Sequence, residues 1–486
     1  MTDNNLKEKT TKGMFWSFFE RFSTQGVTFL ITLVMARLLT PSDYGLIGML
    51  TIFMSLAQVF IDGGFSSALI QRENITEKDL STVFYINLGI SVAMYVCLVL
   101  SAPLISDFYD QPLLKEIAII YTFILVISSL AAVNKTILVI NVDFKTQSKI
   151  SLISALCSGI IGILAALAGA GVWALVIQQM VFACLNVIAS FYFVRWYPKL
   201  IFSFDSFKSL LGFGSKLLVA TIISNVYANL YLLVIGKKFS ASQLGYYTQA
   251  DKFVQFVSTN ITGILTRVSF PVLSKIQNDD GRLLKVYEKY IQLSAFIMFP
   301  LIMGLCGIAK PLVLILLTDK WTDCVLLIQI LCMANIFSGI SMINLNLLYV
   351  KGRSDLVLKL EFIKKSVAFS ILFITIFFDM KTICTGFVIY GCIGFYLNTL
   401  YTKRLLHYPF VAQLKIILPY LFNSLVMLVA ALVICEIIDN CYISFIVCLI
   451  TCPLIYIGLS KIFRLYAYQE MVDVLKLMFR RAKNNI

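Results

Sequence analysis

The sequence has a single histidine, His407, in 486 residues, and its twelve cysteines include no Cys-x-x-Cys pair. That leaves little for imidazole catalysis and gives no metal-ligand spacing. HExxH is impossible with one histidine, and neither a GxxxxGK[ST] phosphate loop nor a GxSxG elbow is present, so ATP hydrolysis and serine-hydrolase chemistry within the chain are not expected. Charge is scarce as well. Only 14% of residues are Asp, Glu, Lys or Arg, against roughly a quarter in soluble domains. A water-soluble globule of this size is excluded. No cleavable signal peptide is expected, because the start is polar and Glu20 and Arg21 interrupt the first apolar run.

Apolar residues make up 59% of the chain and aromatics 13%, with a mean hydropathy of +0.88. A helix needs about 20 mostly apolar residues to cross the hydrocarbon. About fourteen such runs are expected, near 13–37, 44–70, 81–105, 114–140, 148–169, 172–194, 211–236, 246–271, 290–309, 324–350, 360–378, 382–401, 415–436 and 441–462. Long runs without period-2 alternation argue against a β-barrel. The cysteines fall mostly inside these runs and read as small hydrophobes. The net charge of +14 is read as cytoplasmic loops and not as a nucleic-acid surface. With the N-terminus inside, roughly four Lys/Arg lie on inner segments for each on outer ones, which puts both termini in the cytoplasm. The last segment, residues 466–486, is too polar to span. Met471, Leu475 and Met478 share a side beside Lys476, Arg480, Arg481 and Lys483, as in a helix lying on an anionic surface; a frayed basic tail fits equally well.

Shifting the chain by about 200 residues superposes similar stretches: Leu38–Leu46 on Lys238–Tyr246, Ser101–Ile105 on Ala309–Val313, and Asn134–Lys145 on Ile343–Arg353. The repeat holds six spans, an even number, so both copies run in the same sense and would be related by an axis along the membrane normal. The expected fold is therefore an all-α polytopic membrane protein of about fourteen transmembrane helices. It would comprise a six-helix lobe over 1–200, a second over 201–405, two extra helices over 406–465 and a basic tail over 466–486.

Polar side chains in lipid are costly, a central charge by at least ~2.5–3.5 kcal/mol, unless they face protein or water. Span two carries Thr51, Ser55, Gln58, Asp62 and Ser66 at steps of three and four. Span eight carries Lys252, Gln255, Thr259, Thr262 and Thr266 in the same rhythm, so each set lies on one helix face. Span one shows Arg21, Gln25, Thr28 and Thr32; span seven shows Thr221, Asn225 and Asn229. Hydroxyls of this kind often only bond between packed helices. That reading strains for Glu20, Arg21, Asp62, Lys216, Asp251, Lys252 and Arg267, which are ionisable and on the same four helices, although Arg267 and Asp251 could snorkel from helix ends. One shared cavity walled by spans one, two, seven and eight is expected. Arg21, Gln25, Gln58, Lys216, Asn225, Asn229, Lys252, Gln255 and Arg267 are its candidate substrate contacts.

The longest connection between spans is about 20 residues, too short for the acceptor-binding domain of a membrane glycosyltransferase or polymerase. Transport is the leading class. The stretches "ARLLTPSDYG" (36–45), "GGFSSALIQR" (63–72), "GAGVWALV" (169–176) and "SFPVLSKIQND" (269–279) resemble the Wzx/WzxC-like and teichuronic-acid-type polysaccharide flippases of the MOP superfamily, which also holds the lipid II flippase and the MATE exporters. The resemblance covers about residues 10–400. It implies alternating-access movement of an undecaprenyl-diphosphate-linked oligosaccharide to the outer face of a bacterial cytoplasmic membrane. It implies no cofactor; polysaccharide polymerase or export machinery is a possible partner, and a monomer without nucleic acid is expected. Coupling to a proton or sodium gradient would use Glu20, Asp62 or Asp251, because Tyr231 stands where relatives often carry an acid in span seven. The alternatives are a MATE-like exporter of small cationic drugs, which calls for an acid-rich cavity, and a membrane glycosyltransferase.

Overall fold

A computed structural model describes residues 24–72, 75–473 and 476, without the side chains of residues 67, 71, 209–217, 219, 220 and 227. Glu20 and Arg21 lie outside the described residues, as do the basic residues at 480–483 and the side chain of Lys216.

All regular structure among the described residues is helical. The first half consists of α1 (Thr24–Leu38), α2 (Pro41–Asp62), α3 (Phe65–Gln71), α4 (Glu77–Tyr109), α5 (Leu113–Tyr121), α6 (Ile124–Ile140), α7 (Phe144–Leu167), α8 (Val172–Val194) and α9 (Phe204–Lys238). The second consists of α10 (Ala241–Lys275), α11 (Asp280–Gly307), α12 (Ala309–Leu316), α13 (Asp323–Asn335), α14 (Ser338–Val350), α15 (Ser354–Thr375), α16 (Met380–Leu406), α17 (Phe410–Ile437) and α18 (Cys441–Ile462). Among the described residues, ten helical stretches are long and apolar enough to cross a membrane, with α5–α6 and α13–α14 each counted as one. The chain is a multi-pass membrane protein. At 35 residues each, α9 and α10 are also long enough to cross, and the polar stripe of α10 keeps that helix out of the ten. Charges in the first turns of α15 have the same effect.

Local chemistry fixes the helix ends. Thr40 caps α2: its Oγ1 accepts from Asp43 N at 3.3 Å, Asp43 Oδ2 accepts from Thr40 N at 2.8 Å, and Pro41 follows at the first helical position. Thr76 and Asp79 cap α4 in the same way. Gly169 and Gly171, both with positive φ, make the tight α7–α8 turn. Three of the expected runs are interrupted: 114–140 between α5 and α6, 324–350 between α13 and α14, and 44–70. The run 44–70 is not one helix: Gly63 (φ 48°) and Gly64 (φ 74°) end α2 in a left-handed turn and start α3. Ser66 therefore leaves the α2 stripe and sits on α3.

The chain divides into two compact units, one ending at Gly245 and one beginning at Tyr246. In the first unit, α7 packs along α8, α6 on α8 and α4, and α2 on α9. In the second, α11 and α18 flank α17, and α16 packs on α13, α14 and α15. Elements separated by about 200 residues are built alike. Ser240 caps the start of α10 as Thr40 caps α2, its Oγ accepting from Gln243 N at 3.3 Å. α6 ends with the amides of Val142 and Asp143 turned back onto the carbonyls of Val139 and Leu138. α14 ends with those of Gly352 and Arg353 on Tyr349 and Leu348. Val142 and Gly352 both have positive φ. The first turns of α2 and α10 meet by their backbones: a Cβ on Gly45 would stand 1.8 Å from the carbonyl oxygen of Ala241, and one on Gly245 1.8 Å from that of Pro41. Only glycine fits at either position.

Candidate functional site

One cavity of the first unit is lined by charged and hydroxyl side chains from four helices. It has a volume of about 400 Å³ and is lined by Asp62 at the end of α2, Gly64 and Ser66 at the start of α3, Lys135 and Thr136 of α6, and Thr221 of α9. The glycine turn at 63–64 makes this possible. By stopping α2 at Asp62 it leaves the carboxylate at a helix end, and it brings Ser66 round to the same opening. Asp62 is oriented by its own helix, because Gln58 Nε2 donates to Asp62 Oδ1 at 3.0 Å. Asp62 and Lys135 are both exposed to the opening and within electrostatic reach of each other.

Elsewhere on α2 the stripe is less open than its spacing implies. Thr51 Oγ1 and Ser55 Oγ donate to the carbonyls of Ile47 and Ile52, and Thr32 of α1 does the same to Thr28. Gln25 of α1 is half-buried. On α9, Asn229 Nδ2 donates to both the carbonyl and Oδ1 of Asn225, each at 3.0 Å. The two candidate amides thus form a ladder along one face.

In the second unit α10 presents two polar faces. One is packed: Ser258 meets Ser338 of α14 at 3.0 Å, and Asn346 of α14 donates to Ser269 at 3.2 Å. The other carries the stripe. Gln255 Nε2 lies 3.4 Å from Asp251 Oδ1, Lys252, Thr259 and Arg267 are exposed, and Thr262 and Thr266 are half-buried. The threonines spend their protons on Gln255, Ser258 and Thr262 carbonyls, one turn back, which leaves oxygen lone pairs facing outward. The structure thus joins Gln58 to Asp62, Asn225 to Asn229 and Gln255 to Asp251, each within one helix.

Residues 34–326 match the family of polysaccharide biosynthesis proteins, well over half of the chain. The chain belongs to that family. Among curated relatives of this family member, the teichuronic acid biosynthesis protein TuaB of Bacillus subtilis (strain 168) is 29% identical over 303 residues, 62% of either chain. The lipopolysaccharide biosynthesis protein WzxC of Escherichia coli (strain K12) is 26% identical over 366 residues, 74% of each. The alignment with TuaB thus spans somewhat under two thirds of that protein's length. Among solved structures, the lipid II flippase MurJ in an inward closed conformation superposes with a TM-score of 0.75 over 95% of this chain and 100% of that one. Identity there is 18%, so this likeness shows the fold.

The polysaccharide biosynthesis fold accordingly carries one residue that the sequence reading passed over. Lys135 lies five residues before the end of the run 114–140, whose high average hydropathy conceals it. The available signal was the charge itself: an isolated Lys in the last two turns of an apolar helix demands the same explanation as Asp62. A second cavity, about 480 Å³ and almost wholly apolar, lies in the second unit between α11, α17 and α18, with Phe296, Pro300, Met427, Leu449 and Tyr456 on its walls. Nothing in it binds charge; its lining suits hydrocarbon.

Among the described residues no group of three or more His, Cys, Asp or Glu could hold a metal, and all twelve cysteines are free. What these surfaces offer is hydroxyls, amides and paired charges at membrane depth. Such groups bind a polar ligand by hydrogen bonding and charge, without bond-breaking chemistry.

Proposed function

We propose that the chain is a flippase that carries an undecaprenyl-diphosphate-linked oligosaccharide from the inner to the outer face of a bacterial cytoplasmic membrane. Membership of the polysaccharide biosynthesis family over residues 34–326 carries this reading. It is supported by relatives named for teichuronic acid and lipopolysaccharide biosynthesis, by the lipid II flippase fold, and by polar groups lodged in membrane-spanning helices. An unassisted diphosphate would meet a desolvation cost on the order of tens of kcal/mol in hydrocarbon. A hydrated cavity removes most of it.

In this reading α1, α9, α10 and α15 join the ten apolar stretches as spans, giving about fourteen crossings. Two six-helix lobes over 1–200 and 201–405, related by an axis along the membrane normal, rock against each other, and 406–465 adds two helices. The repeated caps at Thr40 and Ser240, the repeated ends at Val142 and Gly352, and the reciprocal glycines Gly45 and Gly245 support a parallel repeat. Both termini are cytoplasmic. Gln25, Gln58, Asn225, Asn229 and Gln255 hold sugar hydroxyls. Arg21, Lys216, Lys252 and Arg267 neutralise phosphate, arginine by bidentate contacts. Asp62, Asp251 or Glu20 couples the lobes to a proton or sodium gradient. The chain acts as a monomer and hands its product to polymerase or export machinery. The prenyl tail stays in apolar surroundings of the kind the second cavity provides.

The test is depletion in the host, followed by identification of the lipid that accumulates on the cytoplasmic leaflet. A diphosphate-linked oligosaccharide supports the reading; loss of drug efflux with normal surface polysaccharide overturns it. Arg21→Ala is expected to abolish export at unchanged protein level, and full export in a well-expressed Arg21→Ala strain removes that assignment. Transport in vesicles that ignores both ion gradients contradicts the coupling.

A further inference from the structure

A cation and an anion in one membrane cavity require an explanation. Left alone they would neutralise each other, and hydrophobic replacements of similar volume would serve the fold as well or better. Asp62 and Lys135 are not buried against each other in a dry contact. Both are exposed to a cavity of about 400 Å³, many times the ~30 Å³ share of a liquid water. Their polar neighbours on the cavity wall are Ser66, Thr136 and Thr221, with Gly64, and the rest of the lining, including Val59 and Leu218, is apolar. Asp62 already has a neutral partner in Gln58 Nε2, at 3.0 Å, so it is held in place whether or not it faces a cation. The ammonium of Lys135, with three donors and no acceptor, has room for a second anion.

Depth narrows the class of anion. Lys135 stands five residues before the end of α6 at Ile140, or about 8 Å along the helix, and Asp62 is the last residue of α2. The cavity therefore lies where hydrocarbon gives way to headgroups, a layer roughly 5–7 Å thick on each face. A membrane-anchored lipid presents its phosphates at that level. The positive-inside count assigns this end to the cytoplasm, the side on which a precursor would be loaded.

We propose that this cavity captures the diphosphate of the lipid substrate, with Lys135 as its cation and Asp62 as the internal carboxylate that competes for that cation. The proposal rests on the flippase reading and adds to it a residue and a direction. Empty, Asp62 accepts from Gln58 and attracts Lys135 only across the cavity. Loaded, the diphosphate pairs with Lys135 directly and outweighs that attraction. The competition keeps capture reversible, so that the ligand can move on toward the rest of the path. Lys135 binds substrate and Asp62 tunes its affinity, hence replacing them has opposite effects.

The test uses the full chain in phosphatidylcholine nanodiscs, with farnesyl diphosphate and inorganic pyrophosphate as separate probes and farnesol as the uncharged control. Lys135→Gln is expected to weaken farnesyl diphosphate about tenfold or more, Lys135→Arg to stay within about threefold of the parent, and Asp62→Asn to tighten binding about threefold. Pyrophosphate is expected to follow the same order at lower affinity, which identifies the diphosphate as the recognised group. Asp62→Asn provides the test even if Lys135→Gln does not fold. Several results overturn the proposal: weakening by both neutral variants, which would mark a structural ion pair; indifference to both; farnesol bound as well as its diphosphate; or displacement of the probe by phosphatidylglycerol, which would mark an ordinary headgroup site. Failure of the flippase reading itself looks different, because then the parent protein binds no farnesyl diphosphate at all.

Discussion

The two units each bury a layer of polar side chains between membrane helices, and they resolve it in opposite ways. In the second unit Asn344 of α14 donates to Gln413 Oε1 at 3.2 Å and accepts from Tyr287 OH at 2.5 Å. Gln413 Nε2 reaches Tyr287 OH and Thr402 Oγ1, both at 3.1 Å. All four side chains are fully buried, and the ring closes. In the first unit Asn134 of α6 lies eight residues before the positive-φ residue Val142, as Asn344 lies eight before Gly352. It too is fully buried, as is Asn87 of α4, yet neither amide has a hydrogen-bond partner among the described residues. The difference traces to one helix. Gln413 belongs to α17 of the appended pair, and in the sequence repeat the first half has no counterpart of it. The C-terminal pair thus completes the polar layer of the second unit. The first unit keeps two unsatisfied amides on α4 and α6, one of them next to Lys135 and its cavity.

The sharpest way to break this comparison is to remove Gln413. Gln413→Ala withdraws three hydrogen bonds and leaves Asn344 Nδ2 buried without an acceptor, at an expected cost of about 2–4 kcal/mol in the unfolding of the protein in nanodiscs. Asn134→Ala, at the matching place, removes no bond within the protein and is expected to change stability by less than about 1 kcal/mol. Equal losses from the two substitutions would mean that the closed ring contributes nothing special.

How much of this could be read beforehand depends on how local each feature is. The segmentation into apolar helices follows from residues within a few positions of one another and was legible, and the caps at Thr40 and Thr76 and the turn at Gly169–Gly171 are equally local. The break at Gly63–Gly64 had a local signal, two adjacent glycines, but hydropathy averaged across a 27-residue run overrode it. Lys135 was lost to averaging as well. The Tyr287–Asn344–Gln413 ring was illegible for another reason. Its members are 57 and 69 residues apart along the chain, and no periodicity links positions on three helices. The polar stripes on α2 and α10 were legible as stripes. Their spacing did not say which hydroxyls spend their protons on their own helix, as Thr51, Ser55 and Thr259 do.

One turn along the same interface the units differ again, with a smaller expected effect. In the first unit Ser91 donates to Ser129 across α4 and α6 at 3.0 Å. In the second, Ser294 of α11 faces Gly339 of α14, where an added Cβ would fall 2.7 Å from both Ser294 Oγ and Met298 Cγ. The first contact is a hydrogen bond and the second a close approach of two helices. Gly339→Ala is expected to cost about 1–3 kcal/mol by overpacking, with part regained in Gly339→Ala/Ser294→Ala. Ser129→Ala should cost no more than about 1 kcal/mol. Failure of the double variant to recover would place the strain elsewhere on α14.

The smallest effect is a pH dependence confined to the second unit. After α18 the chain returns along α11 and α17: Ala467 N donates to Tyr420 OH at 3.3 Å, Tyr420 OH donates to Gln292 at 3.1 Å, and Lys289 pairs with Glu470. The Lys289 ammonium, with help from Tyr466, holds the Glu470 carboxyl below the usual carboxylate range. A lowered folded-state pKa makes the contribution present above the ordinary glutamate value of about 4.3 and lost as pH falls through the lowered one. Glu470 is one-third exposed, so the contribution is screened and stays under about 1 kcal/mol. Hydrogen exchange of the amides over 467–471, corrected for intrinsic rates, should therefore hold steady from pH 8 to about 5 and quicken below about 4. Glu470→Gln should show the quicker exchange at every pH. Exchange that quickens equally in both proteins as the pH falls would assign the change to the helices beneath and leave the docked segment without its ionic tie.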